Sequence, residues 1–102
     1  MTPEKKAELK ARYPEAKHLT AGDVEMVIRT PTRPEWRRFK VAGLDESKRP
    51  DAVEQLLRDC CVYPEPAELS ALLERRPALA EKFGAKVVHF AIGETEVEEK
   101  NW

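Results

Sequence analysis

Prolines at positions 31, 34, 50, 64, 66 and 77 constrain this chain more than any other feature. Each removes a backbone donor, fixes its own φ and disfavours helix in the residue before it. The chain is therefore expected to fold as short helices joined by stiff corners. Its 102 residues suit one domain with a single modest core.

Before Pro31 the hydrophobic period changes once. Residues Pro3–Arg12 can form a short charged helix, but with only Ala7, Leu9 and Ala11 to bury it must be stabilised by docking. In "AGDVEMVIRTP", Val24, Met26 and Ile28 alternate with Glu25, Val27 and Arg29, which is the period of a half-buried strand. "EAKHL" supplies a weaker partner and "TAGD" the turn chemistry, so residues 15–30 are expected as a β-hairpin. A lone hairpin is marginal in water, and the helices must cover its apolar face.

The rest of the chain reads as helix. Thr32 and Glu35 form a T-x-x-E capping box with Pro34 in the first turn, and that helix is expected to end near Gly43. The next starts around Pro50 and places Val53, Leu56, Leu57 and Cys60 at i, i+3, i+4 and i+7, with Asp51, Glu54, Arg58 and Asp59 opposite. "YPEPA" stops it, and Pro66 opens a helix with Leu69, Leu72 and Leu73 inward. Pro77 then opens another short helix carrying Leu79 and Phe83, with Gly84 as its stop. In "AKVVHFAI", residues 85–92, β-branched content favours a strand, whereas Val87 with Ala91 and Val88 with Ile92 fit a helix. The surrounding helices favour helix. The expected architecture is α+β, mainly α: an N-terminal hairpin packed against four or five short helices. The domain spans residues 1–95 and an acidic tail covers 96–102, with Trp102 able to fold back.

Lys and Arg total 18 against 19 Asp and Glu, a net charge of −1 that argues against bulk attraction to nucleic acid or an anionic membrane. No apolar run approaches the ~20 residues of a membrane span. The charged N-terminal stretch lacks the apolar region of a signal peptide, so a cytoplasmic location is expected. Cys60 and Cys61 are adjacent, a spacing poorly suited to a disulfide, whose Cα atoms usually lie ~4.4–6.8 Å apart. They fit a reducing compartment, with at least one thiol serving as a small buried hydrophobe.

Chemistry-bearing residues do not assemble in the sequence. His18 and His89 have no Cys, His or Asp at ligand spacing, so no metal site is expected. Ser47, Ser70 and the two cysteines lack a local base. The glycines at 22, 43, 84 and 93 stand singly and form no phosphate-cradling loop. Neither an enzyme nor a cofactor is expected.

What remains is "PTRPEWRRFK", residues 31–40, in which Arg33, Arg37, Arg38 and Lys40 surround Trp36. Cations with an aromatic can meet phosphates while the ring stacks on a base. Helical spacing favours another arrangement, with Trp36 and Phe39 on one face and Arg33, Arg37 and Lys40 on the other. Nucleic acid is then the weaker partner. Trp36 either caps the hairpin's apolar face or anchors a protein partner. If a partner docks here, Arg33, Trp36, Arg37, Phe39 and Lys40 are the expected contacts, Trp and Arg being enriched at binding hot spots.

The order of features resembles a family of small tailed-phage proteins encoded near the tape-measure gene and described as tail assembly chaperone-like. Pro31, Thr32, Arg33, Glu35, Trp36, Arg38 and Phe39 carry the first element of that resemblance. Leu56, Asp59, Cys60, Val62 and Pro64 carry the second, and Leu73, Arg76, Pro77, Phe83 and Gly84 the third. It covers roughly residues 15–95 and is structural rather than catalytic. It implies a non-enzymatic chaperone that keeps the long, apolar, helical tape-measure protein soluble until the tail tube polymerises, with self-association possible. The alternative expectation is a small phage protein that binds and modulates a host factor.

Overall fold

Gly22, at φ +62°, closes a two-residue turn between β1 (Lys17–Ala21) and β2 (Val24–Ile28), a geometry that glycine adopts without steric cost. The strands pair antiparallel with Leu19 opposite Met26 and His18 opposite Val27. A computed structural model describes residues 1–93 and 97–101. Around the hairpin it places α1 (Pro3–Arg12), α2 (Arg33–Ala42), a 3₁₀ turn (Glu46–Lys48), α3 (Arg49–Cys60), α4 (Pro66–Arg75) and α5 (Ala78–Ile92). The fold is α+β and mainly α. The domain boundary expected at residue 95 and the folding back of Trp102 fall on residues outside those described. Val97 to Asn101 lie exposed, without regular structure.

The core forms on one face of the sheet. Val24, Met26 and Ile28 meet Leu56, Leu57 and Cys60 of α3, Leu69 and Leu73 of α4, and Leu79, Phe83 and Val87 of α5. Met26, Ile28, Leu57 and Val87 are fully enclosed, and each such side chain contributes about 1.5–3 kcal/mol relative to exposure. The helical periods place most of these residues where expected, but Val53 and Leu72, both expected inward, are only half-buried.

Strand β2 is not half-solvated as its alternation implied, although β1 stays largely exposed. Val27, on the second face, is buried, because α1 lies there with Leu9 and Tyr13 near His18 and Val27. Leu9 is the one buried residue of α1, so this contact is the docking on which the charged helix depends.

Two further features depart from the sequence reading. A third strand, β3 (Cys61–Tyr63), follows α3 directly and pairs antiparallel with β2 through an irregular register at Val27 and Ile28. Three residues are too few to show a period. The second departure corrects the expected stop at Gly84: α5 runs unbroken through it to Ile92 and ends at Gly93, whose φ is +78°. Gly84 packs directly against α3, and a Cβ there would lie 2.4 Å from Val53 Cγ1. The glycine permits a helix crossing and does not end a helix. Residues 85–92 are accordingly helix.

Candidate functional site

Helix α2 carries the residues singled out in the sequence, and its entry is over-determined. Thr32 caps the helix and Glu35 reaches back to the Thr32 amide at 2.8 Å, completing the capping box. The same carboxylate takes both ends of the Arg29 guanidinium, at 2.8 and 2.9 Å. Arg29 also donates to the Asp59 carbonyl at 2.6 Å, while its backbone N–H donates to the Cys60 carbonyl at 2.9 Å. One arginine thus ties the end of β2, the start of α2 and the end of α3. The guanidinium holds the Glu35 carboxyl down to about 2, against an ordinary 4.5, and the carboxylate raises the arginine in turn. At the other end of α2, Arg49 donates to the Gly43 carbonyl at 2.8 Å.

The five expected contact residues divide between two faces. Trp36 and Phe39 turn inward, with ring centroids 5.2 Å apart, and pack half-buried on the core. Arg33 and Arg37 face outward. Lys40 does not join them: its ammonium leans over the Trp36 ring, 5.9 Å from the centroid. The aromatic pair therefore serves chiefly to seat α2 against α3.

The outer face gains residues that the sequence reading left out of the site. Arg33, Pro34, Arg37, Arg38, Val41 and Ala42, all on α2, share one open stretch of its surface. Val41 is 63% exposed and Leu44, just beyond the helix, 81% exposed. Arg33, Arg37 and Arg38 make no ion pair or hydrogen bond among the described residues. By contrast Arg29, Arg49, Arg58 and Arg76 each reach a carboxylate. Positions 33, 37 and 41 have i, i+4, i+8 spacing, a signal present in the sequence, but an apolar side chain at 41 fits a core position equally well.

The other reactive groups are occupied structurally. Cys60 is enclosed and its thiol is pushed up to about 12 by burial. Burial also pushes the Cys61 thiol up to about 11, and its Sγ–H donates to the Tyr63 carbonyl at 3.1 Å. Ser70 accepts from Arg58 at 2.7 Å, linking α4 to α3. His18 pairs with Glu25 at 2.9 Å across the hairpin. Among the described residues no three His, Cys, Asp or Glu side chains gather to hold a metal ion. No helix among them is long and apolar enough to cross a membrane.

Fold and site together define a small, mainly helical α+β domain that presents one braced helix with a cationic and apolar outer face. The chain belongs to the family described as domain of unknown function DUF6848, whose model matches residues 4–100. It is also similar to the solved structure of an uncharacterised protein, rbstp2171, from Bacillus stearothermophilus. That similarity has a TM-score of 0.70 at 21% identity and covers 94% of this chain and 99% of the other. At this identity the likeness shows the fold. No curated protein matches the chain.

Proposed function

We propose that the protein is a non-enzymatic tail assembly chaperone, working in the bacterial cytoplasm to hold a phage tape-measure protein soluble. The observation that carries this reading is the outer face of α2. Three arginines without a partner among the described residues flank exposed apolar side chains there. The helix beneath them is fixed at both ends by the Arg29–Glu35 bridge and the Arg49–Gly43 bond. A surface braced in this way loses little entropy on binding, which favours capture of a partner. The resemblance on Thr32, Glu35, Trp36, Phe39 and the Leu56–Pro64 element supports the choice of partner.

A long apolar helical protein needs its exposed stripe covered until its own assembly partners arrive, and a helix face is a suitable cover. Co-expression tests the reading. The chain should keep its tape-measure protein in the soluble fraction and co-purify with it. If the tape-measure protein stays insoluble and no complex is recovered, the chaperone reading fails. Stoichiometric inhibition of a host complex would then favour the host-factor reading.

A further inference from the structure

We infer that the outer face of α2 is a docking site for an acidic amphipathic helix, with Arg33, Arg37 and Arg38 meeting its carboxylates and Val41 and Leu44 its apolar stripe. This rests on the reading of the protein as a binding helper and adds the chemistry of what it holds.

The spacing of the face carries the argument. Arg33, Arg37 and Val41 follow one another at i, i+4, i+8 along α2, and Pro34, Arg38 and Ala42 form the parallel row beside them. Eight residues of helix span about 12 Å, so the rows make a straight ridge of roughly two turns. The charge lies at the N-terminal end and the middle, and the apolar exposure at the C-terminal end. A helix lying along this ridge can place carboxylates against the guanidinium groups, each able to bind a carboxylate at two points. It can bury aliphatic side chains on Val41, Ala42 and Leu44. The one carboxylate of α2, Glu35, is engaged by Arg29 and does not neutralise the face. A phosphodiester backbone would leave Val41 and Leu44 uncovered, and the chain as a whole has a net charge of −1. The apolar half of the face is what selects a peptide.

The experiment uses the full chain and a synthetic peptide of about five helical turns, with leucines on one face and glutamates along its flanks. A scrambled peptide of the same composition and a lysine-flanked version are the controls. Micromolar binding is expected for the glutamate-flanked helix, weakening as salt rises, with the scramble and the lysine version at least about tenfold weaker. Arg37→Glu with Arg38→Glu, and separately Val41→Asp, should each weaken binding about tenfold or more, whereas Lys86→Glu on α5 should not. Circular dichroism confirms that each variant is folded.

Equal binding of the scramble, or full binding by both variants, overturns the inference. So does preferential capture of duplex DNA. A concentration-dependent dimer abolished by the same charge reversal would assign the face to a second copy and overturn it too. If the peptide fails while the tape-measure protein is still kept soluble, only the site chemistry falls. If the peptide binds and the tape-measure protein stays insoluble, only the choice of partner falls.

Discussion

The Arg29 guanidinium grips both oxygens of the Glu35 carboxylate, at 2.8 and 2.9 Å, at the junction of the hairpin with the first helix that follows it. The pair is largely shielded, with side-chain exposures of 29% and 13%. Truncating one partner leaves the other charged and poorly solvated. Hydrogen bonds to charged groups contribute about 1.5–3 kcal/mol, so Glu35→Gln should cost about 1–2 kcal/mol. Arg29→Ala should cost more, about 2–4 kcal/mol, because it also releases the Asp59 carbonyl. Urea unfolding measures both. Losses below about 0.5 kcal/mol would make the bridge incidental.

The same bridge gives a pH dependence of defined sign. Folding lowers the Glu35 carboxyl from 4.5 to about 2, so the unfolded chain takes up the proton first as pH falls. The stabilisation is present above about 4.5 and is lost as pH falls toward 2. The urea midpoint should therefore drop across that window. Glu35→Gln should flatten the slope there while lowering stability at neutral pH, and an unchanged slope would contradict the assignment.

Gly84→Ala separates two effects of opposite sign. In an open helix alanine is favoured over glycine by about 1 kcal/mol. Here the new Cβ meets Val53 Cγ1 at 2.4 Å, and overpacking of that kind costs about 1–3 kcal/mol. Net destabilisation is expected, with partial recovery when Val53→Ala is added. A stabilised single variant would place α3 and α5 further apart.

The adjacent thiols should be inert in the folded chain. Burial raises both, Cys60 to about 12 and Cys61 to about 11, so thiolate is scarce at neutral pH. Labelling of the enclosed Cys60 with a thiol-reactive disulfide should follow global unfolding and accelerate with urea, while the half-buried Cys61 should label slowly. A fast phase at Cys60 in native buffer would contradict its enclosure.

Much of this structure was legible because local signals agreed with the tertiary outcome. Val24, Met26 and Ile28 alternate into the core as their period requires, and Thr32 with Glu35 caps α2 as the T-x-x-E spacing implies. The misses have a common origin in long-range contact. Val27 is buried because α1 returns over the hairpin, Gly84 is there because Val53 approaches, and Cys61–Tyr63 becomes a strand because β2 offers an edge. None of these has a signature within its own segment. At the site, the sequence grouped aromatics and cations that the helix then separates. Trp36 and Phe39 seat α2 on the core, and Arg38, Val41 and Ala42 complete the outer face, with the exposed Leu44 just beyond it.

That division of α2 leaves its outer face without a packing role in the fold. The direct measurement is a paired pull-down of the tape-measure protein, by the unaltered chain and by Arg37→Glu combined with Arg38→Glu, alongside melting curves of both. Surface changes of this kind usually shift stability by no more than about 0.5 kcal/mol, so the two should melt together while the variant loses at least about nine-tenths of the captured partner. Equal capture by both chains would contradict the proposal, as would absence of capture by the unaltered chain.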